Sequence, residues 1–280
     1  MEGTPARNKS EAIMTALEKT LSKVPEVTLG FWILKILATT IGETGGDAVT
    51  MSWLHADKHA HNGGYLIGVA IFAGFFVLAV IGQIRSRRFN PWLYWLTIVA
   101  TTTVGTAMAD FADRSLGIDY TGGSSMLFAL LMTSLLVWRW REGTVSVSSV
   151  TTPRAKAFYW TTILFSQTLG TALGDWMAKT NGLGFDGAAV VFAAALAALA
   201  ASYYLTNVSR VALFWAAFIL TRPLGATLGD FLDKPHRLGG LALSRFGATA
   251  ILAAAIVALI LAFPQRPGTH PASPRGAPAQ

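Results

Sequence analysis

The chain has 280 residues, of which 52% are hydrophobic and only 13% charged, where soluble domains carry about 25% charge. That composition excludes an ordinary water-soluble globule and makes the bilayer the expected solvent. The net charge of +7 sits in short clusters between apolar runs, not in a basic stripe with interleaved aromatics, so no nucleic-acid partner is expected; the absence of cysteine excludes disulfides and thiolate metal sites.

The chain begins with a polar stretch in which Ser10 is a helix cap and Ile13, Met14, Leu17, Leu21 and Val24 recur at helical spacing. This predicts a cytoplasmic segment 1–27 with a short amphipathic helix on the membrane surface, ended by Pro25. Glu2, Glu11, Glu18 and Lys19 stand where a cleavable signal would have a basic start and an apolar core. Apolar runs follow, each near the ~20 residues that cross a ~30 Å hydrocarbon core. They place spans at 28–50, 64–84, 91–112, 123–140, 157–177, 187–206, 210–230 and 240–263, a membrane domain over 28–263. From Pro264 to Gln280 the composition turns to Pro, Gly, Ala, Ser and Arg, which predicts a disordered tail.

Lys and Arg divide unevenly between the two sides of these spans. Arg7, Lys9, Lys19, Lys23, Arg85, Arg87, Arg88, Arg139, Arg141, Arg154, Lys156, Arg210, Arg266 and Arg275 fall on one side; Lys58, Arg114, Lys179, Lys234 and Arg237 fall on the other. The bias puts both termini in the cytoplasm, with the protein in a bacterial inner membrane.

The first, third, fifth and seventh spans share a pattern: Trp, nine residues, Gly, three residues, Gly or Ala, then Asp. Its copies are Trp32, Gly42, Gly46, Asp47; Trp95, Gly105, Ala109, Asp110; Trp160, Gly170, Gly174, Asp175; and Trp215, Gly225, Gly229, Asp230. One spacing met four times fixes an architecture of four two-helix repeats, at about 28–84, 91–140, 157–206 and 210–263, all pointing the same way. The small pair four residues apart makes a smooth stripe for close helix packing in lipid. The tryptophans are expected to anchor helix ends at the interface. The aspartate lies ~22 Å up the helix from its Trp, within or just under the edge of the hydrocarbon core, where a carboxylate costs roughly 2.5–3.5 kcal/mol. Such a residue is a functional candidate; the plainer alternative is a helix-end group meeting water.

Further polar residues share the face of each Asp. Glu43, Thr106 and Thr171 stand four before it; Thr40, Thr103 and Thr168 seven before; Thr39, Thr102, Gln167 and Arg222 eight before. Asp113 and Asp233 stand three after it in the second and fourth copies. The even spans have almost nothing polar inside them. The expected fold is therefore an all-α integral membrane protein with its odd helices central around a hydrated axis and its even helices peripheral, against lipid. Lys35 and Arg222 are the embedded cations, expected to pair with the nearest carboxylates. Arg245 is expected to snorkel. His55, Asp57, His59 and His61 lie in an outer loop whose residues are expected to be solvated; His55 and His59 would chelate a metal if the loop were helical.

These residues resemble a bacterial family of uncharacterised multi-spanning, membrane-anchored proteins. The likeness is carried by Lys-Val-Pro-Glu-Val-Thr at 23–28, Lys-Ile-Leu-Ala-Thr-Thr-Ile-Gly-Glu-Thr at 35–44, Ala-Phe-Tyr-Trp at 157–160, and Leu-Thr-Arg-Pro-Leu-Gly-Ala at 220–226 followed by Gly-Asp at 229–230, and it covers about 21–263. It implies a multi-spanning membrane protein and brings no substrate with it.

Function is therefore read from the residues. Glu43, Asp47, Asp110, Asp175 and Asp230 form the expected ligand set for a hard cation. Thr40, Thr103, Thr106, Asp113, Gln167, Thr168, Thr171 and Asp233 are expected along its path. The expectation is a secondary cation transporter, coupled to protons and exporting a divalent metal such as Mn²⁺, with no resident cofactor. The alternatives are a cation channel with an acidic ring and a non-transporting scaffold. No phosphate-binding loop, nucleophile elbow or paired zinc motif suggests an enzyme.

Overall fold

The computed structural model describes residues 21–56, 63–86, 88–116, 118 and 120–269. Among them run eight long helices: α1 (Leu29–Asp47), α2 (Gly64–Arg85), α3 (Pro91–Asp110), α4 (Tyr120–Glu142), α5 (Pro153–Asp175), α6 (Gly184–Leu205), α7 (Arg210–Asp233) and α8 (Arg245–Ala262). The starts of α1, α3, α5 and α7 are written in the sequence. Thr28, Asn90, Thr152 and Ser209 each turn a side-chain oxygen back to accept a free backbone N–H of the first turn. Pro91 and Pro153 follow two of these caps, where a missing N–H costs nothing.

Five helices, α2, α4, α6, α7 and α8, are long and apolar enough to cross a membrane. Helices α1, α3 and α5, with 19, 20 and 23 residues, are of similar length but carry more threonine. Helices α2, α4, α6 and α8 turn large apolar side chains outward, among them Phe75, Leu78, Phe128, Leu136, Val190, Ile251 and Leu261. In a protein with this much exposed apolar surface the outer solvent is hydrocarbon.

Helix α1 packs against α3 and α7, and α5 packs against the same two. The other four helices rest on these in an offset manner. Helix α2 lies on α3, α4 on α5, α6 on α7, and α8 returns to lie on α1. Each repeat's second helix is thus held chiefly by the first helix of the next repeat, and the last repeat closes on the first.

Two expectations need correction. Residues 21–25, read as the end of an amphipathic helix, form strand β1 (Leu21–Pro25), and part of the stretch read as a disordered tail forms strand β2 (Pro267–Thr269). The two pair antiparallel, and the Glu26 N–H donates to the Arg266 carbonyl at 2.8 Å just beyond the ladder. Each strand supplies the partner the other lacks, and Val24 buries its side chain in the aromatic cluster beside it. The remainder of the amphipathic stretch and residues 270–280 lie outside the described residues.

The second correction concerns the repeat tryptophans. Trp95, Trp160 and Trp215 are buried, with Phe31, Tyr94, Tyr159 and Phe218, in a cluster at the N-terminal ends of α1, α3, α5 and α7. Tyr94 and Tyr159 share a hydrogen bond of 2.6 Å between hydroxyls, and Trp138 joins Tyr159 and Trp215 edge to face. Four bulky residues at the same repeat position fill the gap between four helices better than they cover its rim, so most of them turned inward.

Candidate functional site

The small residues of the repeat set how closely the four helices approach. The residue eight before each Asp packs on the glycine of the preceding copy: Thr102 on Gly42, Gln167 on Gly105, Arg222 on Gly170 and, closing the circle, Thr39 on Gly225. A methyl added to Gly105 would lie 2.9 Å from Gln167 Cβ and 3.0 Å from both the Gln167 carbonyl carbon and the Thr168 nitrogen. The second small residue repeats the pattern one turn on. Gly46 faces Thr106, Gly174 faces Ala226 and Thr227, and Gly229 faces Glu43, while Ala109 is buried at the equivalent place.

Midway along this contact lies Arg222, 0% exposed. Its NH2 nitrogen, with two N–H bonds to share, lies 2.8 Å from Glu43 Oε2, 2.6 Å from Thr106 Oγ1 and 2.5 Å from Thr171 Oγ1; Nε donates to the Gln167 carbonyl at 3.2 Å and NH1 to the Thr39 carbonyl at 3.4 Å. One guanidinium on α7 therefore ties α1, α3 and α5. Thr106 also donates to Glu43 Oε2 at 3.1 Å. A planar five-donor fork suits this task where an ammonium would not. Pro223 follows at once and removes an N–H from the helix interior.

Lys35 does not fill the role read for it. Among the described residues its Nζ has no hydrogen-bond partner and no carboxylate within pairing distance; it sits 4.2 Å from the centre of the Phe218 ring. The two acids of its own helix are engaged elsewhere, Glu43 by Arg222 and Asp47 by Lys234, and the contact that Lys35 makes is cation–π. The threonines Thr40, Thr103 and Thr168 are buried and donate to carbonyls four residues back on their own helices, at 2.9, 2.7 and 3.0 Å. The Gln167 amide has no partner among the described residues.

The acids gather at the other end. The Lys234 ammonium contacts Asp47, lies 2.9 Å from Asp230 Oδ1 and 3.5 Å from Asp233 Oδ1. Asp47, Asp230 and Asp233 each present an oxygen within 4.8 Å of the other two, and all three are buried. Burial works against the charge on Lys234, but Asp230, Asp47 and Asp233 more than offset it and hold its pKa well above the ordinary lysine value. Asp233 also receives Arg245 Nε at 2.9 Å, while Arg245 NH1 donates to Ser52 Oγ at 3.1 Å, so Arg245 is a partner of the site rather than a snorkelling residue.

A related arrangement joins the second and third repeats. The Tyr120 hydroxyl lies 2.7 Å from Asp113 Oδ2 and 3.0 Å from Asp175 Oδ2, and Lys179 pairs with Asp175 at 2.8 Å. In both places the extra Asp of an even-numbered copy meets the repeat Asp of the following copy. Asp110 is buried at the matching position on α3, within electrostatic reach of Glu43 along with Asp47 and Asp230. Just past the repeat Asp, α1, α3 and α5 each relax into a wider π turn, at Ala48–Trp53, Phe111–Ser115 and Trp176–Thr180, a distortion common at functional positions.

Lys179, Lys234 and Tyr120 were missed as site residues, the lysines being counted only for orientation. A signal was present: Asp175 and Lys179, like Asp230 and Lys234, are four apart with acid first, the favourable order on a helix. In the loop that follows α1, His55 is exposed with a left-handed backbone, φ 52°, while Asp57, His59 and His61 lie outside the described residues.

A family model described as DUF347, a repeat of unknown function, matches the chain four times, at residues 30–89, 93–144, 158–209 and 213–264. These four stretches coincide with the four copies counted from the Trp-to-Asp spacing. No curated protein and no solved structure matches the chain.

Proposed function

The chain belongs to the DUF347 repeat family, and from its site we propose that it is a secondary cation transporter, coupled to protons and suited to exporting a divalent metal such as Mn²⁺ from a bacterial cytoplasm. In this reading all eight helices span the inner membrane as four parallel repeats with both termini cytoplasmic. Helices α1, α3, α5 and α7 line the path and α2, α4, α6 and α8 face lipid. The contacts support parallel repeats: Glu43, Thr106 and Thr171 hold the same repeat position and meet one guanidinium, and Tyr94 meets Tyr159 at another shared position.

The observation that carries the proposal is the convergence of Asp47, Asp230 and Asp233 on one ammonium. Three carboxylates against Lys234 and Arg245 leave one net negative charge. Replacing the ammonium by a divalent ion makes the site neutral, whereas a monovalent ion leaves it as it was. Oxygen donors alone suit a hard ion. Lys234 is then the resident counter-charge that the cargo displaces, and the aromatic cluster at the far end is the closed gate. The offset between Arg222–Glu43 and the acids makes a uniform fourfold ring, as a channel would use, the weaker reading.

Proteoliposome flux decides the matter. Mn²⁺, Mg²⁺, Ca²⁺ and Na⁺ are offered with and without a pH gradient, to the wild type and to Asp47→Asn and Asp230→Asn. Divalent flux that depends on the gradient and falls at least tenfold in both variants is expected. Absence of any cation flux in folded wild type would leave the acids as helix-locking groups and end the transporter reading.

A further inference from the structure

Outside the bundle axis, helices α4 and α5 form an antiparallel hairpin with a groove of about 560 Å³ along its outer seam. Leu130, Val137, Phe158 and Phe165 give it an apolar length, and Arg141 and Arg154, which flank the 143–152 connection, both line it. From Arg141 back to Leu130, and from Arg154 on to Phe165, is eleven residues each way, or ~16 Å of helix. That is half of a ~30 Å hydrocarbon core, one leaflet deep.

The cationic end is built for the interface. The Arg141 guanidinium stacks 4.6 Å from the ring of Trp140, itself exposed, and Arg154 is 68% exposed and tied to Glu142 at 2.8 Å. An apolar slot of one leaflet's depth with two guanidiniums at its mouth complements one class of molecule, a chain-bearing phosphate. Free phosphate would fill only the mouth, and a zwitterionic lipid brings its own cation against the arginines.

We infer that the α4–α5 seam is a binding site for an anionic phospholipid, with an acyl chain along Leu130, Val137, Phe158 and Phe165 and the headgroup phosphate between Arg141 and Arg154. Glu142 is the built-in competitor for Arg154. The site is independent of which ion, if any, crosses the bundle. A phosphate taken by the arginines braces the third repeat's first helix against the preceding outer helix, next to the aromatic cluster that Trp138 enters.

Native mass spectrometry on the full chain in detergent tests this with phosphatidylglycerol, phosphatidylcholine of identical chains, and glycerol 3-phosphate. Phosphatidylglycerol should be retained preferentially, and each arginine near a membrane surface is worth about fivefold. The double variant Arg141→Gln/Arg154→Gln should lose its retention more than tenfold. Arg85→Gln/Arg88→Gln, on a different connection, should leave it unchanged, and Glu142→Gln should strengthen it. Equal retention of the two lipids, full competition by glycerol 3-phosphate, unchanged retention in the arginine double variant or equal loss in the control variant would each overturn the inference.

Discussion

Arg222 is the side chain on which most of the interior depends. It is fully buried, bears the only described ion pair to Glu43 and reaches threonine or backbone oxygens on three neighbouring helices. Removing one member of a buried pair leaves the other charge unsolvated, at roughly 3–5 kcal/mol, whereas removing both often costs much less. Arg222→Ala should therefore lower the thermal midpoint sharply, Glu43→Gln should lower it less because Thr106 and Arg222 can still donate to the amide oxygen, and the double variant should be more stable than Arg222→Ala alone. A double-mutant cycle on detergent-purified protein measures the coupling, and strict additivity would contradict the pair. The need for this arginine was legible in the sequence as an embedded cation beside a proline. Its partner was legible only as one of the nearest carboxylates, Glu43 or Asp230, and the structure gives Glu43. Lys35 was not legible in the same way: its spacing matched an acid-facing stripe, yet among the described residues its ammonium meets no carboxylate and lies over the Phe218 ring, and where a long side chain ends is not written in spacing.

Helix contacts turn on the glycines, and these can be separated by what a methyl would meet. At Gly105 an added methyl would press on the backbone at Gln167 and Thr168, which cannot swing aside; at Gly74 in α2 and Gly122 in α4 nothing lies within 4 Å. Gly105→Ala should thus cost about 1–3 kcal/mol as overpacking, while Gly74→Ala and Gly122→Ala stay near neutral. Thermal midpoints of the three variants check the contrast, and equal effects at all three would show that the stripe does not set the helix spacing. The starts of α1, α3, α5 and α7 could be read from Thr28, Asn90, Thr152 and Ser209 because caps act locally. The pairing of α2 with α3 rather than α1 could not. A helix such as α2 is apolar on every side, so the face against protein and the face against lipid have the same composition, and periodicity carries no choice of neighbour. The strand pair β1–β2 was hidden for a related reason: Leu21 and Val24 suit either a helix face or a ladder, and the deciding partner lies more than two hundred residues away.

Cyclic closure gives the molecule a property that its linear order conceals. Because α8 rests on α1 as α2 rests on α3, and because β1 pairs with β2, the connection between the last and first repeats in space is equivalent to the connections between the others. Joining Thr269 to Leu21 by a short linker and opening the chain within 206–208 gives the order α7, α8, α1 through α6. Every interhelical contact survives, Ser209 still caps α7 at 3.5 Å, and each helix keeps its direction because two helices move together. Opening instead within 57–62 gives α2 through α8 and then α1. The same contacts would be made and the loops would keep their Lys and Arg, but the new chain begins on the side poorer in those residues, so its N-terminus has to be carried across the membrane ahead of α2. The first permutant should accumulate as a monodisperse membrane protein with a thermal midpoint close to that of the parent, and the second should insert poorly. Yield from membranes, size-exclusion profile and thermal midpoint read out both. If the first failed and the second folded, the parallel two-helix repeat would be wrong as the unit of insertion; if both failed, closure of α8 on α1 would not be able to substitute for chain connectivity, and the ring would depend on the natural order of synthesis.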